Sequence, residues 1–280
     1  MKPIIMENIS ATFIKSIVKN RLPDSHKGTY GHALLIAGNL GKMGAAVIAA
    51  KACVRSGVGL VSVNIPFMEQ STIQISVPEA MLNFREGFID NYESFSAIGI
   101  GPGIGKNSLE KKVLKEIIKY SGKPIVLDAD ALNIIADAKK MLNKIPANSI
   151  ITPHPKEFDR LFGNHTSAEE RKNTAIKMAE LLDIVIVLKG HQTFVTDGNN
   201  NFFNTTGNSG LAKGGSGDAL TGLITGLLAQ QYGSLNAALI SVYVHGLAAD
   251  ITLENQSMET MIITDVIKNF GKAFQQISNE

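Results

Sequence analysis

Short apolar runs, each ending abruptly at glycine, proline or a charged residue, alternate along the chain with longer amphipathic stretches. That alternation predicts an α/β fold: three αβα layers with a mostly parallel central sheet covered by helices on both faces. The runs 33–37, 60–64, 97–100, 124–127, 149–152 and 184–188 read as buried strands. Residues 193–196 and 201–203 flank Asp197-Gly198-Asn199-Asn200 and read as a hairpin. An alanine-lined helix is expected over 43–55, stopped by Gly57, and three helices over 217–231, 234–254 and 260–277 close the chain. No internal repeat or linker divides the sequence, so 1–280 is expected to be one domain.

The polar and glycine-rich segments follow the C-terminal ends of the predicted strands, at Gly38, Gly101, Asp128, His154 and Lys189. In open α/β sheets ligands bind beyond those strand ends. One rim is therefore expected to carry glycines, carboxylates, a histidine and a lysine.

The segment richest in chemistry runs from Asn204 to Asp218 and closes on Lys213-Gly214-Gly215-Ser216-Gly217-Asp218. It leads into the apolar helix that begins near Gly217. Unpaired N–H groups at a helix start bind anions, and glycines let the backbone approach a phosphate closely. Asp218 would sit beside that phosphate. A carboxylate next to a polyanion calls for a proton transfer or a cation, which fits a general base on a hydroxyl during phosphoryl transfer. The plain alternative is that Asp218 only caps its helix.

Other phosphate motifs are excluded. No G-x-x-x-x-G-K-[ST] occurs, and Gly99-x-Gly101-x-Gly103 is a poor dinucleotide fingerprint. The six histidines have no metal-ligand spacing, so no metal site is assigned. Lys189 at a strand end suits a phosphate or nucleotide site, or else is a solvated turn lysine. His154, pinned between Pro153 and Pro155, suits ligand contact, or else is a structural loop residue. Asp128 and Asp130 suit Mg²⁺ held through water, the alternative being that Asp130 caps a helix beginning at Ala131.

Charge excludes a general nucleic-acid binder: 27 Lys and Arg face 25 Asp and Glu. The single cysteine, Cys53, lies among small apolar residues and is expected to be a buried thiol, with no intrachain disulfide. The first residues, from Met1 to Glu7, have no long apolar core, and no apolar run approaches the ~20 residues of a bilayer span, so a cytoplasmic location is expected.

Several of these segments occur together in a known order. His26-Lys27-Gly28-Thr29-Tyr30-Gly31, Gly41-Lys42-Met43-Gly44-Ala45-Ala46, Gly99 to Gly105, Leu127 to Leu132, Thr152-Pro153-His154-Pro155-Lys156-Glu157-Phe158, Val187-Leu188-Lys189-Gly190 and Asn204 to Asp218 span nearly the whole chain. In this order the chain resembles the ADP/ATP-dependent NAD(P)H-hydrate dehydratases of the ribokinase-like superfamily. The resemblance implies a carbon–oxygen lyase that repairs NADH and NADPH hydrated on the nicotinamide ring. A nucleotide, ADP or ATP with Mg²⁺, phosphorylates the ring hydroxyl of the S epimer, and loss of phosphate restores the double bond. It implies contacts to the hydrated dinucleotide from Ala45, Gly103, His154 and Asp218. It implies a nucleotide site at Lys189, Gly190, His191, Gln192, Thr193 and Gly217, with Asp218 as the base. It further implies a homotetramer, with small molecules as the partners.

The chain departs from the family pattern at Lys156, where a glycine is expected. About 25 residues precede the first motif, so the epimerase domain that many relatives carry is expected to be absent. Two other functions remain in view: a kinase of a small alcohol on the same fold, which would release a stable phosphorylated product, and a non-catalytic nucleotide binder, which would have no use for Asp218.

Overall fold

The computed structural model describes residues 5–87 and 92–278; the stretch Met1–Ile4 read above lies outside them. Ten strands form one sheet: β1 (Glu7–Asn8), β2 (His32–Ile36), β3 (Leu60–Ile65), β4 (Met81–Phe84), β5 (Ala97–Ile100), β6 (Ile125–Leu127), β7 (Ile150–Ile151), β8 (Val185–Leu188), β9 (Phe194–Thr196) and β10 (Asn201–Phe203). Their order is β1-β10-β9-β8-β7-β6-β5-β2-β3-β4. From β8 to β4 every pairing is parallel, and the β9–β10 hairpin adds antiparallel strands beside β8. The strand order reverses between β5 and β2, which opens a crevice at the C-terminal strand ends.

The central strands are apolar on both sides because both sides are covered. Every residue of β5, β6, β7 and β8 is buried. One face is covered mainly by helices Met43–Val54, Ser216–Ala229 and Ser234–Thr252, the other by Ser108–Tyr120, Ala129–Asp137, Pro155–Phe162 and Ala168–Leu182. Small residues let the first layer close tightly. A methyl group on Gly222 would stand 2.0 Å from the carbonyl oxygen of Ala49, so these two helices cross with backbone against backbone. Cys53 is fully buried there, and burial pushes its thiol pKa upward, as a structural cysteine requires.

The expected strands all appear, most within a residue of their predicted ends. Three readings change. The helix expected over 260–277 is two, Ile263–Lys268 and Phe270–Ile277, broken at Asn269. The sheet gains β1 and β4 at its edges. Ser234–Thr252 is long and apolar enough to cross a bilayer, contrary to the sequence reading, but 78% of it is buried in the fold as a core helix.

Candidate active site

A cavity of about 650 Å³ opens at the C-terminal strand ends. His154 follows β7, Lys189 follows β8, Gly190, His191 and Thr193 form the turn into β9, and Gly217 and Asp218 begin the helix Ser216–Ala229; all seven line the cavity. The sequence rule that polar residues gather beyond the strand ends thus brings seven predicted residues together. Gln192 belongs to the same turn but not to the wall.

The helix Ser216–Ala229 starts at Gly215, whose φ of 94° places it in the left-handed region. A methyl group there would also lie 2.6 Å from Ile48, so both conformation and space demand glycine. No side chain caps this helix end, and Asp218 sits in its first turn. The capping alternative for Asp218 is therefore absent from the structure, and the carboxylate faces the cavity. Burial, then the nearby Asp128, push its pKa up to about 6, against the pull of Lys189. A carboxylate poised there can accept a proton near neutral pH.

Lys189 is not a solvated turn lysine. Its ammonium donates to Oδ1 of Asp128 at 2.7 Å and lies 4.0 Å from Oε2 of Glu157. Thr221, one turn beyond Asp218, donates its hydroxyl to the other Asp128 oxygen at 2.8 Å. A methyl group on Gly217 would stand 3.2 Å from the Lys189 nitrogen, so the glycine brings the helix start against the cation. Lysine, helix N-terminus and Asp218 converge on one wall, which is what an anion undergoing transfer to a hydroxyl requires.

This pairing gives Asp128 partners that the Mg²⁺ expectation did not name. The residue is buried and both oxygens already accept hydrogen bonds. Asp130 is in the first turn of a helix that begins at Ala129, not Ala131, and accepts the Gly105 N–H at 2.8 Å, with Lys42 at 3.8 Å. Among the described residues no cluster of three His, Cys, Asp or Glu side chains converges. These side chains do not fit a protein-built Mg²⁺ cage.

His154 has the structural role left open for it, and it also lines the cavity. It is the N-cap of helix Pro155–Phe162: its Nδ1 accepts from the backbone of Lys156 and Glu157, and Glu157 accepts the His154 N–H in return. With Nδ1 accepting, the proton sits on Nε2, and the half-exposed ring borders the cavity. Lys156 occupies a regular, exposed helical position, so the expected glycine is not needed there.

Ala45 and Gly103 lie outside the cavity wall but beside each other. A methyl group on Gly103 would stand 2.9 Å from the Ala45 methyl. Ala46 is fully buried, which leaves Ala45 as the accessible alanine of the pair. A buried guanidinium supports this corner. Arg85 donates to the carbonyls of Ala37, Gly38 and Asn64 at 2.7–2.9 Å, with Glu110 at 4.0 Å.

Sequence reasoning missed Glu157, Thr221, Arg85 and His245. Glu157 and Thr221 stood three residues from His154 and Asp218, the spacing that shares a helix face. His245 lies in an apolar helix with no flanking signal, yet it lines the cavity. Burial, with Lys189 adding to it, lowers its pKa to about 4, so the ring is neutral.

Comparison with known proteins shows the family and the fold. The NAD(P)H-hydrate dehydratase family model matches residues 33–272. The ADP-dependent (S)-NAD(P)H-hydrate dehydratase of Bacillus subtilis is 35% identical over 94% of this chain and 96% of its own. The bifunctional NAD(P)H-hydrate repair enzyme of Moorella thermoacetica is 31% identical over 97% of this chain, which spans 54% of that longer protein. A ribokinase-like superfamily protein from Enterococcus faecalis superposes with a TM-score of 0.89 at 27% identity, covering 98% of this chain and 97% of its own. The ADP/ATP-dependent NAD(P)H-hydrate dehydratase of Bacillus subtilis, co-crystallised with ATP and Mg²⁺, superposes with a TM-score of 0.86 at 30% identity, covering 97% and 98%. The chain has the ribokinase-like αβα fold and belongs to the NAD(P)H-hydrate dehydratase family.

Proposed function

We propose that this protein is a nucleotide-dependent (S)-NAD(P)H-hydrate dehydratase, restoring NADH or NADPH from the hydrated ring. The observation that carries the reading is the convergence of Asp218, with its pKa near 6, the Lys189 ammonium and a glycine-started helix N-terminus on one cavity. Family membership supplies the substrate class.

Asp218 takes the proton of the ring hydroxyl as that oxygen attacks the terminal phosphorus of ADP or ATP. The phosphorus–oxygen bond to the nucleotide breaks, and Lys189 with the N–H groups at Gly217 and Asp218 offsets the charge that develops. The phosphate then leaves carbon with its oxygen, and loss of a neighbouring ring proton restores the double bond. Lys189, Gly190, His191, Gln192, Thr193 and Gly217 hold the nucleotide. His154, Asp218, Ala45 and Gly103 hold the hydrated dinucleotide, which runs from the cavity edge toward the Ala45–Gly103 corner. Mg²⁺, when bound with the nucleotide, would offset phosphate charge. The reading extends to one domain, a cytoplasmic location and a homotetramer.

The alternative on the same fold is a small-alcohol kinase, because Asp218 would deprotonate any hydroxyl. Phosphorus NMR of a reaction with hydrated NADH, nucleotide and Mg²⁺ separates them. The dehydratase releases one free phosphate per NADH restored. A stable phosphorylated product would replace this reading with the kinase.

A further inference from the structure

Lys213 opens the glycine run that ends at Asp218, but its side chain turns away from the cavity. Its ammonium donates to three backbone carbonyls at once: Met258 at 3.0 Å, Glu259 at 2.6 Å and Met261 at 2.6 Å. An ammonium has three N–H donors, so this set satisfies all of them with neutral acceptors. Three carbonyl dipoles converging on one point create a locally negative pocket that only a compact cation with donors fills.

The carbonyls belong to the turn before helix Ile263–Lys268, and this turn runs alongside the glycine segment. Ser209 donates to the sulfur of Met258 at 3.2 Å. A methyl group on Gly210 would stand 2.4 Å from the end of Met261, and one on Gly215 3.2 Å from Ile263. The Lys213 backbone is held in turn, its N–H on the Leu211 carbonyl and its carbonyl on the Ser216 N–H. The ammonium is the charged link between two segments that otherwise meet through apolar and weakly polar atoms.

We propose that Lys213 is a positioning residue whose tethered ammonium, held by the carbonyls of Met258, Glu259 and Met261, fixes the glycine loop that presents Gly217 and Asp218 to the phosphates. It touches no reacting atom. Its effect reaches the reaction through the placement of the first helical turn, and it rests on the activity proposed above.

Removing the side chain leaves the carbonyl pocket without its cation, and a free ammonium ion can then enter. The experiment compares wild type with Lys213→Ala in turnover, nucleotide KM and melting temperature. Each is measured in ammonium, methylammonium and tetramethylammonium chloride at equal ionic strength. Lys213→Ala is expected to melt close to wild type and to lose turnover about tenfold, the scale of one charge-assisted contact. Ammonium or methylammonium restores it severalfold. Tetramethylammonium, which carries the charge but no N–H, restores nothing, and wild type responds to none of the three. Unchanged turnover in Lys213→Ala, rescue by tetramethylammonium as well, or a loss that no ammonium ion restores would each overturn the proposal. Should Lys213→Ala fail to fold, Lys213→Gln keeps most of the side chain without the charge and is expected to lose turnover to a similar extent; wild-type turnover there overturns the proposal too. If wild type shows no turnover of the hydrated dinucleotide, the activity fails separately. Calorimetric titration of ATP in the same salts then decides the role of Lys213 by the same pattern of loss and rescue.

Discussion

The partly exposed ammonium of Lys189 pairs with the buried carboxylate of Asp128 at 2.7 Å across 61 residues of sequence, and Thr221 donates to the other carboxylate oxygen. Lys189 therefore has two tasks: it faces the cavity, and it neutralises a buried charge.

Substituting Lys189 with Met will on this account harm more than nucleotide binding. It leaves Asp128 buried without a counter-charge, which costs about 3 kcal/mol of stability. Adding Asp128→Asn removes the stranded charge, so the double variant will be more stable than Lys189→Met alone while nucleotide affinity stays low. Urea unfolding of the wild type, both single variants and the double variant checks this; a double variant no more stable than Lys189→Met refutes the coupling.

The environment of Asp218 fixes a pH dependence in two directions. Its pKa in the folded protein, about 6, is above its ordinary value of 3.8. The folded state therefore binds the proton more tightly, so this contribution to stability is present below about pH 4 and is lost as pH rises through 6. Asp218→Asn will be more stable than wild type at pH 7, by on the order of 1–3 kcal/mol, and about equal to it at pH 4. Turnover has the opposite demand, since only the ionised carboxylate is a base. The wild-type kcat/KM profile, which reports the free enzyme, will fall on the acid side with a midpoint near 6. A profile flat to pH 5 would remove Asp218 as the base.

Arg85 gives a prediction for the opposite corner. Burial lowers its pKa to about 10, yet it remains charged and holds the ends of β2 and β3 by their carbonyls. Arg85→Met strands Glu110 and several carbonyls, and is expected to cost about 3–5 kcal/mol. At a temperature where the variant is still folded, the KM for the hydrated dinucleotide will rise more than that for the nucleotide, because the Gly38 and Gly103 loops loosen. Equal changes in both constants would make Arg85 a general stabiliser only.

What the sequence made legible follows from local chemistry. β5 was readable to the residue because Ala97–Ile100 is one continuous buried run. β4 was not, because Met81–Phe84 sits at the sheet edge, mostly half-exposed, with no clean alternation. The break at Asn269 went unread although Gly271 stands two residues beyond it, inside the second helix. In the site, Lys189, His154, Gly217 and Asp218 were findable because they follow strand ends or open a helix. The pairing of Lys189 with Asp128 was not, because it joins different strands and depends on which side each side chain leaves the sheet. Asp128 therefore read only as a water-linked Mg²⁺ ligand, with no sign of the lysine and threonine that donate to it. His154 read as a choice between cap and ligand contact; Nδ1 makes the cap, and Nε2 lies 3.5 Å from Glu157 Oε1 at the cavity wall.

The measurement that bears most directly on the central claim is the return of nicotinamide absorbance from purified (S)-hydrated NADH, followed for wild type and Asp218→Asn on matched preparations. Asn keeps the size of the side chain but cannot take a proton, so folding and binding of both ligands should survive. Wild type is predicted to restore the absorbance only when nucleotide and Mg²⁺ are both present. Asp218→Asn is predicted to be slower by roughly 10²–10⁴, the usual share of general-base catalysis. Restoration without nucleotide, none under any condition, or wild-type speed in Asp218→Asn would contradict the account.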